Sequence, residues 1–111
     1  MKERLSGYRI LWLLVLFDLP VGTKSERKAA SRFRDDLLNM GFEMSQLSVY
    51  LKWCSGYDSV ETMTKRVRAI VPKYGKVHIL TFTDKQYETM ITFTGGSRNA
   101  QQKTPQQYSL F

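Results

Sequence analysis

The sequence predicts one α+β domain in which two helices cover one face of an antiparallel sheet. Three observations indicate this class: an uninterrupted apolar run near the start, two stretches with helical spacing, and segments in which apolar and polar residues alternate. A chain of 111 residues is long enough for one domain with its own hydrophobic core. We therefore expect a single domain.

The apolar run from Ile10 to Phe17 predicts the first strand. It is too short for a membrane helix, which needs about 20 apolar residues. Its length also suits the core of a signal peptide, and the basic residues before it resemble the charged start of one. However, Asp18, Leu19 and Pro20 stand where a cleavage site would have small residues. A strand buried on both faces has the same continuous apolar sequence, so we interpret the run as a buried strand.

A helix is predicted next, from Lys24 to about Met40. Thr23 and Glu26 have the spacing of a capping box, in which each side chain accepts a hydrogen bond from the other residue's main-chain amide. Gly41 can adopt the left-handed conformation that ends a helix. Five apolar residues share one face of this helix at 100° per residue. They are Ala29, Ala30, Phe33, Leu37 and Met40.

Period-two alternation then marks extended structure from Phe42 to Cys54, as either one bent strand or two short strands. Asp58 signals the start of a second helix, and Pro72 stops it.

The chain from Lys76 onward predicts the rest of the sheet. A strand at Lys76–Thr83 is followed by a tight connection at Asp84–Tyr87 and a last short strand at Thr89–Thr94. The whole succession is typical of a ferredoxin-like β-α-β-β-α-β sandwich with an extra C-terminal strand. We assign this domain to residues 1–95.

Residues 96–111 predict a flexible polar tail, because they are rich in glutamine and show no periodicity. The tail ends in an apolar segment whose residues Tyr108, Leu110 and Phe111 could dock on a partner. The alternative is an end without a partner.

The charge balance favours a polyanionic partner, either nucleic acid or an anionic membrane. The chain has 17 Lys and Arg against 10 Asp and Glu, a net charge of +7. The lone Cys54 has no partner for an internal disulfide or for a thiolate zinc site, so a reducing, cytoplasmic location is expected.

Five cations lie on the first helix, opposite its apolar face, with Asp35 as the one acid among them. They are Lys24, Arg27, Lys28, Arg32 and Arg34. Such an arc could follow a phosphate backbone with little dependence on base sequence. The alternative is a solvated helix face without a ligand.

Asp18 is the candidate catalytic and metal-ligating residue, because a carboxylate at the end of a buried strand is rigidly held and Mg²⁺ prefers oxygen ligands. The alternative is that Asp18 accepts main-chain amides in the turn before Pro20. Metal-dependent nuclease sites usually contain several carboxylates. A symmetric dimer would supply the second one by bringing two Asp18 side chains together.

Three segments in this order and spacing resemble one family. They are LLVLFDLPVGT, GFEMSQLSVYLKWC and LTFTDKQYETMITFTG. Together, over residues 8–95, they resemble the CRISPR-associated Cas-two proteins, the small subunit of the spacer-acquisition machinery. The form is similar to those that accompany type II systems.

The resemblance implies a ferredoxin-like homodimer in which the last strand of each chain packs against the partner's sheet. It implies that Asp18 is a Mg²⁺ ligand, one from each protomer, in an endonuclease that acts on RNA or DNA. It also implies that the dimer bridges two dimers of the Cas-one integrase and holds the duplex DNA to be inserted. In that complex the acidic site is often dispensable.

We therefore expect first a scaffold for spacer integration, with the tail docked on the integrase, and second a Mg²⁺-dependent endonuclease that acts on RNA or DNA. The expected nucleic-acid partners are duplex DNA and single-stranded RNA. A third hypothesis is a regulatory module that binds a small ligand or a protein and no nucleic acid.

Overall fold

The computed structural model describes residues 10–95 of the chain. Its strands are β1 (Leu11–Asp18), β2 (Glu43–Gln46), β3 (Val49–Cys54) and β4 (Lys76–Thr83). Its helices are α1 (Lys24–Asn39), α2 (Tyr57–Ile70) and α3 (Asp84–Glu88). The strands form one sheet in the order β2-β3-β1-β4, and every neighbouring pair is antiparallel. The predicted α+β class with an antiparallel sheet is confirmed.

Strand β1 lies at the centre of the sheet, paired with β3 on one side and β4 on the other. Its side chains alternate between two environments. Leu13, Val15 and Phe17 are buried in the core with residues of α1 and α2. The opposite surface of the sheet, which we call the open face, is only partly covered, and Leu16 is 38% exposed there. The predicted strand is confirmed, but only one of its faces is fully buried within the chain.

Helix α1 begins where its capping box predicts. The Glu26 amide donates to Thr23 Oγ1 (3.0 Å), and the Thr23 amide donates to Glu26 Oε1 (2.9 Å). The core side of the helix buries Phe33, whose ring meets Phe17 edge to face at 5.0 Å. After the helix, Gly41 has a φ of 95°, the left-handed conformation expected of it.

The choice left open for residues 42–54 is resolved as two strands. β2 and β3 form an antiparallel hairpin through Leu47 and Ser48, and their register shifts between Met44 and Gln46.

The C-terminal part of the prediction is wrong in two respects. Asp84–Glu88 is a short helix, α3, capped by a Thr83–Gln86 box, rather than a tight connection. The predicted extra strand at Thr89–Thr94 is not formed, because no strand of the described chain pairs with this segment. A strand needs a neighbour to satisfy its amides and carbonyls. Ile91 and Phe93 are instead 76% and 86% exposed.

Helix α3 covers one end of the open face, far along β1 from Asp18. The Tyr87 ring stacks on Trp12 at 4.2 Å, and Trp12 Nε1 donates to Asp84 Oδ1 at 2.9 Å. Tyr87 is only 8% exposed. Burial, followed by the nearby charges of Glu43 and Asp84, raises the pKa of the Tyr87 phenol.

None of the helices within residues 10–95 has the length and apolar character needed to cross a membrane. The proposed boundary between domain and tail stays a prediction, since residues 96–111 lie outside the described chain.

The raised pKa of Tyr87 predicts a loss of stability at alkaline pH. Folding favours the neutral phenol. The stability that the neutral Tyr87 phenol contributes is fully present below the unfolded pKa of 10.0 and is lost as pH rises through the folded pKa. Tyr87→Phe cannot ionise, so the gap between its free energy of unfolding and that of the wild type should change between about pH 8 and about pH 11.

Urea denaturation at both pH values measures this gap, with exposed Tyr57→Phe as the control. We expect the wild type to lose stability relative to Tyr87→Phe as pH rises. If the stability of the wild type and that of Tyr87→Phe changed in parallel with pH, folding would not perturb the pKa of the Tyr87 phenol.

Candidate functional site

Asp18 is the last residue of β1, and its side chain is exposed on the open face. The main chain there is fixed on both sides: Asp18 lies opposite Lys76 of β4, and the preceding amide of Phe17 donates to Ser48 O at 3.0 Å. Within residues 10–95, no side chain and no amide forms a hydrogen bond or ion pair with the Asp18 carboxylate. The turn-capping alternative is therefore not observed, and the carboxylate is free to bind a ligand.

Gly75 packs directly on the turn that follows Asp18. Its φ is 98°, and a Cβ there would lie 2.7 Å from Asp18 O and 2.8 Å from Leu19 Cδ2. The loop between α2 and β4 thus packs closely against the main chain of Asp18. Sequence reasoning missed this contact, although a glycine between Pro72 and the start of β4 is an ordinary turn signal.

A single chain does not build a complete metal site around Asp18. Among the described residues, no group of three His, Cys, Asp or Glu side chains is placed to hold a metal ion. Mg²⁺ in proteins is commonly bound through one or two carboxylates and retains several waters. One free carboxylate at the end of a rigid strand therefore fits half of such a site.

The cationic arc of α1 divides into two groups. Arg27 Nη1 donates to Val21 O at 3.1 Å, and Arg34 Nε donates to Leu47 O at 3.3 Å. These two arginines anchor the loops beside the helix. The other three cations are exposed and form no ion pair with the described residues. They are Lys24, Lys28 and Arg32.

The open face carries an apolar surface that the sequence analysis did not assign to any partner. Leu80 is 53% exposed and Trp53 is 57% exposed there. Both lie on strands adjacent to β1, Trp53 opposite Trp12 and Leu80 opposite Leu14, so the patch spans both sides of the central strand. The sequence signal for this apolar patch was the continuous apolar run of β1, which puts apolar side chains on both faces of the strand. The predicted docking residues Tyr108, Leu110 and Phe111 lie outside the described chain.

The strand order β2-β3-β1-β4 is that of a ferredoxin-like α+β protein, and its central strand ends in an exposed aspartate. Comparison with known families identifies the family within this class: residues 11–90 match the family described as CRISPR associated protein Cas2. The chain belongs to this family, and the resemblance drawn from the three sequence segments is confirmed.

Proteins named CRISPR-associated endoribonuclease Cas2 are similar over nearly the whole chain. One from Paracidovorax avenae is 55% identical over 107 residues, covering 96% of this chain and 99% of that protein. One from Flavobacterium psychrophilum is 45% identical over 108 residues, covering 97% and 94%. One from Parvibaculum lavamentivorans is 42% identical over 101 residues, covering 91% and 100%.

The Gly75 contact predicts that Gly75→Ala destabilises the fold. A side chain at this φ costs about 1–2 kcal/mol, and the contact with a main-chain oxygen adds to that cost. Thermal or urea unfolding measures the effect, with Gly95→Ala as the control because a Cβ there meets nothing within 4 Å. Equal stability of the two variants would contradict the packing described for the Asp18 turn.

Proposed function

We propose that this chain is a metal-dependent endonuclease that cleaves RNA as a homodimer, within the CRISPR adaptation machinery. The observation that supports it most is the Asp18 carboxylate, which is rigidly placed, exposed and without a partner in the described chain. If Asp18 were buried or hydrogen-bonded, a role in stabilising the fold would explain its presence. The names of the similar proteins, all CRISPR-associated endoribonucleases, support the same activity.

The homodimer is supported by the open face and by the segment after α3. Leu16, Leu80 and Trp53 leave an apolar surface in contact with water, which a second copy would cover. Ile91 and Phe93 alternate with polar residues at the spacing of a strand. In this proposal the segment predicted as a strand becomes one on the sheet of the partner, by pairing with an edge strand of that sheet.

The two copies of Asp18, one from each protomer, would together hold Mg²⁺. When bound, such an ion would polarise a phosphoryl oxygen and lower the pKa of a water molecule bound to it. The chain's own part is to hold each carboxylate at the end of β1 and to bring cationic Lys76, opposite Asp18 in the sheet, close to a phosphate.

A second function, the scaffold in spacer integration, is favoured by the exposed cations Lys24, Lys28 and Arg32 on α1. A dimer carries a formal charge of +14, twice the +7 of one chain. Such a surface holds duplex DNA through its phosphates, with little discrimination between sequences. In this role the dimer bridges two dimers of the Cas-one integrase, and Tyr108, Leu110 and Phe111 dock on it.

Removing the Asp18 charge distinguishes the two functions. Asp18→Asn should lower the rate of cleavage of labelled single-stranded RNA by more than about 100-fold, because a lost ligand costs more than the 10–100-fold of a lost outer-shell partner. Cleavage is measured with Mg²⁺ and with chelator, and with Asp58→Asn as the matched control, since Asp58 is an exposed acid on α2.

Cleavage that needs both the metal and Asp18 would establish the endonuclease. Absent cleavage, or cleavage indifferent to Asp18, would contradict it. A mobility shift with duplex DNA in the presence of chelator would then test the scaffold on its own, and the same assay separates both from a regulatory module that binds no nucleic acid.

The proposed homodimer predicts that the exposed segment 91–95 is needed for self-association. The double change Ile91→Ser and Phe93→Ser removes two large apolar side chains, so the protein should sediment near 12.9 kDa rather than at twice that mass. Leu38→Ser, at an exposed apolar residue of α1, should stay dimeric. A monomeric wild type, or an unchanged mass for the double variant, would contradict the arrangement.

A further inference from the structure

A groove runs along the helix side of the molecule, on the surface opposite the open face. It consists of two adjoining depressions that share Ser25, Ala29 and Pro72. The smaller one has a volume of about 300 Å³ and lies between α1 and the turns that precede α1 and β4. The larger one, about 930 Å³, continues along α1 past Lys28 and Arg32.

The walls of the smaller depression combine apolar surface with an aromatic ring and a cation. Leu19 and Pro20 form one wall, and Lys73 and Tyr74 form another. The Tyr74 side chain is 62% exposed, and Lys73 Nζ lies 5.6 Å from the centre of its ring. The Tyr74 ring thus has a cation over one face and is more than half exposed, and an aromatic ring paired with a cation is the combination that binds a stacked base together with its phosphate.

The one acid in this depression is already engaged. Glu26 Oε1 accepts hydrogen bonds from the amides of Gly22 and Thr23, at 2.9 Å each. In the larger depression Asp35 and Asp36 lie one helical turn beyond the cations, towards the C-terminal end of α1. The cationic part of the groove therefore extends from Lys73 to Arg32 and ends there.

The smaller depression adjoins Asp18. Tyr74 directly precedes Gly75, the residue packed against Asp18 O, and Leu19 directly follows Asp18. A nucleotide bound here is therefore next to the turn that follows Asp18, while the Asp18 carboxylate itself lies on the open face of the sheet.

We propose that this groove is a binding site for single-stranded nucleic acid, with one splayed base stacked on Tyr74 and its phosphate on Lys73. The following backbone lies along Lys28 and Arg32. A depression of about 300 Å³ has room for one unpaired base, and stacking on an aromatic ring requires a base that is splayed out of a duplex. This inference rests on the proposed action on nucleic acid, and it adds the site that selects unpaired strands.

The test measures binding without cleavage, by fluorescence anisotropy in chelator. The probes are a labelled RNA single strand of about 12 nucleotides and a duplex DNA of the same sequence, since aromatic stacking contributes to single-strand binding. Tyr74→Ala should weaken binding of the single strand at least about fivefold, whereas Tyr74→Phe, which keeps the ring, should bind like the wild type.

Matched controls come from outside the groove. Tyr57→Ala removes an aromatic ring that is 57% exposed on α2 and should leave single-strand binding unchanged. Lys73→Ala should reduce the dependence of single-strand binding on salt by about one phosphate contact, whereas Lys85→Ala on α3 should not. Binding of the duplex should be the same for Tyr74→Ala and the wild type.

The groove proposal is overturned if Tyr74→Ala binds the single strand like the wild type, or if Tyr57→Ala loses as much affinity. Its failure can be told apart from failure of the nuclease. Binding in chelator and cleavage in Mg²⁺ are measured separately on the wild type, so a Tyr74-dependent affinity in chelator together with no cleavage in Mg²⁺ would retain the groove and reject the catalytic role.

Discussion

The double pairing of β1 is the constraint on which the rest of the structure depends. Because β1 is hydrogen-bonded to β3 and β4, its side chains must alternate between the helix side and the open face. Phe17 is thereby fixed in the core against Phe33, and Asp18, the next residue, is fixed on the opposite face. The position of the candidate catalytic residue thus follows from the core, and a slip of one residue in register would bury the carboxylate.

The open face is covered by α3 at one end and is exposed at the other. Trp12 is covered by Tyr87 and donates to Asp84, so α3 closes the end of the sheet where β1 begins. Towards Asp18, no described element covers the apolar side chains. The segment 91–95 closely follows α3 in the chain, so the contacts that cover Trp12 also fix the point from which this segment leaves the sheet.

Local signals could be predicted from the sequence, whereas contacts between distant segments could not. The Thr23–Glu26 box identified the start of α1 because its partners are three residues apart. The same pattern at Thr83 and Gln86 was present and was overlooked, so α3 was missed. The Thr89–Thr94 strand was wrong because alternation indicates a strand without showing whether a neighbour is available. Helical spacing placed Arg27 and Arg34 on a cationic arc, but it could not show that carbonyls of Val21 and Leu47 lie within reach.

Asp18 joins two surfaces that would otherwise be independent. Its side chain belongs to the open face, where the proposed second copy packs, while its main-chain oxygen lies close to Gly75, the residue that follows Tyr74 of the groove. A nucleic acid in the groove and a partner on the open face would therefore approach the same residue from opposite sides of the sheet. Because the sheet separates the two, each can form without displacing the other.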